Sequence, residues 1–343
     1  MLMRRSPRKP DLAVDLGTAR TVVVEAGSGI VFDEPSLCCF RAYDAVPGFV
    51  AAGLEAERFV GRVAKPLKIV NPLRHGVISD MAAARELIKF ATRHVRPKRR
   101  FARTRAVFGA PADATQAERR ALVAAARDAG ISDPQVVAEP ILAAAGADLD
   151  IHSPRGRMIV DCGAGVTEAV VISLGGICAA ASLRGGGDDL TRAIMEHVRT
   201  RRRFRIGFPT AEQVKLEVSR LLELGEVEAS VCIRGLASSS GLPQSIDIPL
   251  VELTPVWERD LAAIVAMVRQ VLRATPPELS EDILEDGILL TGGGAYTALL
   301  ARKIEERTGV PTRIAENAQK AVANGLSVAL TRPQIDAELH PYP

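Results

Sequence analysis

Val14-Asp15-Leu16-Gly17-Thr18-Ala19-Arg20-Thr21, followed by Val22-Val23-Val24, returns in altered form as Val160-Asp161-Cys162-Gly163-Ala164-Gly165-Val166-Thr167, followed by Glu168-Ala169-Val170-Val171. Both stretches read V-D-x-G-x-x-x-T within β-branched runs. Such runs suit buried strands, the glycine marks a tight turn, and the second run of each copy returns as a strand. Two copies of strand, turn and strand suggest a chain built from two similar halves.

Outward from these copies, strands alternate with helices. Thr115-Gln116-Ala117-Glu118 is a capping box that predicts a helix to about Ala129, flanked by strands at Ala106 to Gly109 and Gln135 to Val137. Glu139-Pro140 opens a short helix, with proline near the first turn, where its missing N–H costs nothing. Val256 to Ala274 reads as a long helix, with Leu261, Ile264, Val265, Val268 and Leu272 on one stripe. Gly287 to Leu290 reads as a buried strand that runs into Thr291-Gly292-Gly293-Gly294-Ala295, with a helix near Tyr296 to Thr308 after it. The alternation predicts an α/β layered fold.

With 343 residues, 47% of them hydrophobic, the chain can bury the core of one large or two medium domains. A net charge of +3 gives no argument for nucleic acid as a partner. The five cysteines, Cys38, Cys39, Cys162, Cys178 and Cys232, form no CxxC pair and have no histidine at ligand spacing, which points to thiols in a reducing cytosol rather than zinc. The N-terminal MLMRRSPRKP is basic without an apolar segment, so no secretory signal is expected. The longest apolar stretch, Ala169 to Leu183, falls short of the roughly 20 residues of a spanning helix. The expected location is the cytoplasm.

Any one glycine turn could be no more than a hairpin. Three of them, each after a buried strand, can aim backbone N–H groups at phosphates. Asp15 and Asp161 stand just before two of the turns; as strand-end carboxylates they suit Mg²⁺, and as lone residues they would read as turn caps. The five histidines, at 75, 94, 152, 197 and 340, lie in no nucleophile setting.

Taken in order, these motifs resemble those of the MreB family of bacterial actin homologues. Asp15 to Thr21, DLGTART, resembles that family's first phosphate loop, and Asp161 to Glu168 its second. Glu34-Pro35-Ser36, Asn71-Pro72-Leu73 through Asp80, Glu139-Pro140 with its small-residue helix, Arg184 to Asp188 (RGGGD) and Gly287 to Ala295 (GILLTGGGA) resemble the segments around them. The likeness covers nearly the whole chain. It implies an actin-like, two-lobed α/β fold built from duplicated RNase H-like cores, with ATP between the lobes. Implied boundaries are 1–32, 76–147 and 319–343 for the first core, 33–75 for its small subdomain, 148–181 and 252–318 for the second core, and 182–251 for its subdomain.

The resemblance also implies roles. The turn of Gly17, Thr18, Ala19 and Arg20 would hold the β-phosphate, and Gly163, Ala164 and Gly165 would approach the γ-phosphate. Asp15 and Asp161 would anchor hydrated Mg²⁺. Glu139 would orient the attacking water, with Thr167 nearby. Gly292, Gly293, Gly294 and Ala295 would pass beneath the adenosine. Glu212 and Lys215 resemble residues of the family's purine-side helix, and would otherwise be a solvated helix face. Three positions in the turns depart from the pattern, Arg20 standing for Asn, Ala164 for Gly and Val166 for Thr, as does the run Asn317-Ala318-Gln319-Lys320-Ala321 near the C-terminus. Arg20 could reach a phosphate or pair with an acid outside the site. If position 164 needs a left-handed backbone, alanine costs about 1–2 kcal/mol there; with Val166, that would leave ATP binding intact and slow hydrolysis.

Residues 93–105, RHVRPKRRFARTR, hold seven Arg or Lys after a helix with Leu87, Phe90, Ala91 and Val95 on one side. The run is either a solvated face or, as the resemblance implies, a contact with the inner face of the membrane, with Arg96, Lys98, Arg99 and Arg100 at its centre. The implied function is an ATP-binding cytoskeletal protein that forms membrane-associated filaments and scaffolds cell-wall synthesis. Its partners would be copies of itself and morphogenesis proteins, with no nucleic acid. A non-polymerising regulatory paralogue and a small-molecule kinase of the same superfamily are the alternatives.

Overall fold

The computed structural model describes residues 10–41, 48–62, 66–93 and 104–331. The chain divides into two compact units. One comprises 1–154, 172–177 and 320–343, the other 155–171 and 178–319.

The first unit is built on strands β1 (Leu12–Leu16), β2 (Arg20–Glu25), β3 (Gly29–Pro35), β4 (Arg105–Ala110) and β5 (Asp133–Ala138), in the order β5-β4-β1-β2-β3. β1 runs antiparallel to β2, with Leu16 opposite Thr21, and parallel to β4, with Leu12 opposite Ala106. Val14, Val23, Val107 and Phe108 are wholly buried, as expected of apolar strands covered on both faces. Helix α1 (Met81–Thr92) begins where the Asp80 carboxylate accepts from the Ala83 N–H at 2.9 Å, and it buries Leu87, Ile88, Phe90 and Ala91. Helix α2 (Gln116–Asp128) has the predicted capping box: the Glu118 N–H donates to Thr115 Oγ1 at 3.2 Å, and the Thr115 N–H donates to Glu118 Oε2 at 2.7 Å. Helix α3 (Glu139–Gly146) follows β5 directly and packs on the helix Ala321–Thr331. There the backbones touch. A Cβ on Gly146 would meet the Ala321 carbonyl, and one on Gly325 would meet the Leu142 carbonyl. A smaller sheet joins Cys38–Arg41, Gly48–Ala52 and Leu67–Val70.

A second five-stranded sheet, in the second unit apart from residues 172–177, repeats the plan. Strands β6 (Arg157–Cys162), β7 (Thr167–Ser173), β8 (Gly176–Leu183), β9 (Ile288–Thr291) and β10 (Thr312–Ile314) lie in the order β10-β9-β6-β7-β8. The five strands of each sheet, taken in chain order, occupy the same places. The two V-D-x-G-x-x-x-T copies are β1–turn–β2 in one unit and β6–turn–β7 in the other. The second unit also contains α4 (Gly187–Arg201), α5 (Phe208–Glu223), α6 (Leu250–Ala274), α7 (Pro277–Asp286) and α8 (Leu300–Thr308). A small sheet joins Phe204–Arg205, Ser230–Ala237 and Pro243–Pro249.

Two helices differ from the sequence reading. α6 begins at Leu250, so Pro255 sits inside it rather than before it. Burial of Leu250, Leu253 and Trp257 on one face offsets the hydrogen bond that proline removes. The helix expected from Tyr296 is a 3₁₀ turn, Gly293–Tyr296, and then α8; Leu299 between them takes φ 66° and breaks the run.

Candidate functional site

The two glycine turns are built alike. In the first, the Gly17 N–H donates to the Arg20 carbonyl at 3.0 Å; in the second, the Gly163 N–H donates to the Val166 carbonyl at 2.9 Å. A Cβ would come within 2.7 Å of that carbonyl at Gly17 and within 2.8 Å at Gly163, so both positions require glycine. The closing bond leaves the N–H groups in the middle of each turn out of the strand ladder, as a site for oxyanions needs.

Each turn is buttressed from its own unit. Ser36, fully buried at the end of β3, holds the first. Its N–H donates to the Ala19 carbonyl at 2.9 Å, its hydroxyl donates to the Gly17 carbonyl at 2.6 Å, and it lies 2.8 Å from the Thr21 hydroxyl. The Thr18 hydroxyl accepts from the Gly76 N–H at 3.0 Å. Arg20 turns away from the loop. Its Nε donates to Asp33 Oδ1 at 2.7 Å and its Nη2 to the Asp33 carbonyl at 2.6 Å, so of the two roles open to it in the sequence it takes the acid pairing.

The second turn rests on the start of α4. The Gly187 N–H donates to the Gly163 carbonyl at 3.2 Å, and the Asp188 N–H to the Ala164 carbonyl at 2.9 Å. Gly186 lies so close that a Cβ would strike the Gly163 carbonyl. The Thr167 hydroxyl, buried, donates to the Gly185 carbonyl at 3.2 Å. Ala164 is absent from the residues with positive φ, as are Gly163 and Gly165 among the glycines. The strain expected of alanine at 164 therefore does not arise, because the turn there is within ordinary L-residue conformations. Glu212 and Lys215, on α5, are tied to the first turn of α4 rather than left in solvent. Glu212 Oε2 accepts from the Thr191 hydroxyl at 2.5 Å, and Lys215 Nζ donates to the Gly187 carbonyl at 3.1 Å and pairs with Glu212 at 2.8 Å.

Asp161 is buried beneath the third glycine turn. Its Oδ1 accepts from the Thr291 hydroxyl at 2.9 Å. Burial pushes its carboxyl up to about 6, and the Thr291 hydrogen bond opposes the rise. A nearby divalent cation would favour the ionised form, so the residue fits a metal-facing role. Asp15, half-buried, is the next-to-last residue of β1, as Asp161 is of β6. No group of three or more His, Cys, Asp or Glu able to hold a metal occurs among the described residues. An ion at either aspartate would take most of its ligands from water and phosphate, the usual setting of Mg²⁺.

The three glycines of the third turn differ in what they need. Gly292 has φ 79° and packs against the Cys162 carbonyl, and a Cβ on Gly294 would lie 2.9 Å from that same oxygen. Gly293 faces open space, with Gln319 Cγ 3.9 Å from a Cβ placed there. Ala295 is buried. Folding alone thus explains Gly292 and Gly294 and leaves Gly293 unexplained.

In the first unit, Glu139 starts α3 with its side chain laid over β4. A Cβ on Gly109 would come within 2.9 Å of Glu139 Cγ. Sequence reasoning missed Gly109, Ser36, Gly186 and Thr291 as supports, although Ser36, Gly186 and Thr291 all lay inside motifs it had marked. Arg96, Lys98, Arg99 and Arg100, with Val95, lie outside the described residues. At the edges of that run, the Arg93 guanidinium sits 3.8 Å from the centre of the Phe90 ring, and Arg105 pairs with Asp133 at 2.7 Å. No helix among the described residues is long and apolar enough to cross a membrane.

Known proteins share this fold and much of this sequence. The family model described as MreB/Mbl protein matches residues 9–337. The chain is 36% identical over 321 residues to the cell shape-determining protein Mbl of Bacillus subtilis (strain 168), an alignment covering 93% of this chain and 95% of that protein. Among solved structures it is similar to MreB5 of Spiroplasma citri bound to ADP, with a TM-score of 0.87 and 31% identity over 96% of this chain and 97% of the other. The same Spiroplasma citri protein bound to AMPPNP gives a TM-score of 0.86 at 31% identity, covering 94% of this chain and 96% of the other.

Proposed function

Because the chain belongs to the MreB/Mbl family and shares its actin-like fold, we propose that it binds ATP with Mg²⁺ and assembles into filaments that govern cell shape. The observation that carries this reading is the duplicated turn, the same closure at Gly17 and Gly163 on matching strands of two sheets. Nucleotide in the related MreB5 supports it.

In this reading the N–H groups of the turn Gly17 to Arg20 bind the β-phosphate, and those of Gly163 to Gly165 bind the γ-phosphate. Arg20 takes part through its backbone, since its guanidinium serves Asp33. Asp15 and Asp161 hold the hydrated cation, which neutralises charge on the phosphates when bound. Gly293 gives the adenosine its clearance, and Glu212 and Lys215 fix the helices on the purine side. Glu139, braced over Gly109, orients the attacking water, and Thr167 shapes the second turn. The two cores and two smaller subdomains take the boundaries drawn from the sequence. Hydrolysis is slow, since Val166 lacks the hydroxyl of the threonine it replaces in the second turn. Polymerisation is tested by sedimentation of the full chain with ATP, with ADP and without nucleotide. Polymer that pellets with ATP supports the reading, whereas binding of ATP without any polymer would leave a nucleotide-gated monomer in its place.

The filament meets the inner face of the membrane through the basic run 93–105 and, more weakly, the N-terminal tail. Each cation near an anionic surface contributes on the order of 1 kcal/mol, so the patch acts by repetition along a polymer. Anionic liposomes should pellet with the ATP-bound protein and release it when Arg96, Lys98, Arg99 and Arg100 become Ser. Equal binding to neutral liposomes excludes the charge mechanism. Cell-wall synthesis proteins are the expected downstream partners.

A further inference from the structure

Within the second unit, α6 and α8 leave a groove of about 360 Å³ between them. Its floor is the α6 stripe Leu261, Ala262, Val265 and Ala266, spaced at i, i+1, i+4 and i+5 so that they share one face. Leu261 and Val265 are buried, while Ala262 and Ala266 are exposed. Two small exposed residues one turn apart let another backbone approach closely, and the buried pair beside them supplies apolar contact.

The walls are cationic. Arg269 lines the groove from α6, and Lys303 and Arg307 line it from α8, one turn apart; Glu258 is the one acid in the lining. None of these three cations is ion-paired with a described carboxylate. Their neighbour Arg302, by contrast, pairs with Glu306 at 2.8 Å. Three unpaired cations around an apolar trough are what an acidic amphipathic helix matches. Its apolar face would lie on Ala262 and Ala266, and its carboxylates would reach Arg269, Lys303 and Arg307. Guanidinium and ammonium groups that bond carboxylates across a partly dry trough make stronger contacts than open-surface pairs.

We infer that the α6–α8 groove is a docking site for an acidic amphipathic helix of a partner protein, engaged helix-in-groove. The site needs neither nucleotide nor polymer, so it stands apart from the function proposed above.

The test uses the full chain, without nucleotide, and labelled helical peptides followed by fluorescence anisotropy. One peptide carries Leu at i, i+3, i+4 and i+7 with Glu alongside, the second has Lys in place of each Glu, and the third is a scramble of the first. The acidic peptide should bind, and the other two should not. Lys303→Glu with Arg307→Glu should weaken the acidic peptide about tenfold or more and bring in the Lys peptide. Arg307 is exposed and Lys303 half-buried, and an unchanged thermal melt will confirm that the double variant folds. Equal binding of the scramble, or unchanged affinity in the folded double variant, overturns the proposal. So does loss of anionic-vesicle binding or of self-association in that variant when no peptide binds, since the groove would then face lipid or a second copy.

Discussion

Replacing Ser36 with Ala removes one oxygen and leaves almost no cavity, so its effect isolates the hydrogen bonds that hold the first turn. The Ser36 hydroxyl has a single proton, which goes to the Gly17 carbonyl at 2.6 Å; the contact of 2.8 Å with Thr21 is therefore donated by threonine. The variant strands a carbonyl and a hydroxyl in a place where Ser36 and Thr21 are both fully buried. A buried polar group without a partner costs about 1–3 kcal/mol. The Ser36 N–H still holds the Ala19 carbonyl, so the turn keeps part of its support and the expected loss is about 2–4 kcal/mol. Trp257, the only tryptophan, lies in the second unit and is a poor reporter of this change. Hydrogen exchange over residues 12–25 is the better assay. At 1.4 kcal/mol per tenfold, protection there should fall roughly 30- to 700-fold. Adding Thr21→Ala removes one of the stranded groups, so the double variant should lose less than the two single losses combined. Protection within about threefold of wild type in Ser36→Ala would refute the view that this hydroxyl braces the turn.

Gly293→Arg should fold normally, because a Cβ there meets only Gln319 Cγ, at 3.9 Å, and should abolish nucleotide binding in equilibrium titrations; undiminished affinity would remove the third turn from the site. Glu139→Ala should keep nucleotide affinity and lose phosphate release, measured in single-turnover assays. Ala164→Gly should leave turnover unchanged, since the backbone at 164 is not left-handed; a clear acceleration would restore the strain argument. Asp260 on α6 has its carboxyl raised to about 6 by burial first and the Asp189 charge second, against the attraction of Lys215. The folded state thus holds its proton more tightly than the unfolded chain, and stability is lost as pH rises from about 4 to 6. Asp260→Asn should match wild type near pH 4 and exceed it above pH 6 by up to about 3 kcal/mol, read from denaturant midpoints by Trp257 fluorescence.

The duplication was legible because V-D-x-G-x-x-x-T encodes its geometry locally: a β-branched run, one obligatory glycine, another run. The capping box at Thr115 and the start of α3 at Glu139 were legible for the same reason, since a few adjacent residues decide them. What escaped the sequence depends on partners distant along the chain. The reach of Arg20 for Asp33 needs the β2–β3 pairing before it can be seen. The tie of Lys215 to Gly187 needs α5 laid against α4. The sequence reading starts α6 at Val256, whereas the buried Leu253 and Trp257 carry the helix back to Leu250 through Pro255. Ala164 was judged by analogy with glycine, which says nothing of the φ angle this chain adopts.

The seam between α3 and Ala321–Thr331 has a consequence for how the protein is made. Gly146 and Gly325 let two backbones meet, which leaves no room for a substitute contact if the second helix is missing. A ribosome delivers β1 to β5 and α3 long before it reaches Ala321, and through that interval the face of α3 that the second helix covers has no cover. The whole second unit is translated inside that gap. The unit begun first is therefore finished last, and its slow step is closure of a very long loop, a cost that grows only weakly with length but must be met before any of the seam's contacts form. Nascent chains stalled before residue 321 should engage chaperones through α3, and emergence of Ala321–Thr331, rather than emergence of the first sheet, should set the moment at which that sheet becomes resistant to protease.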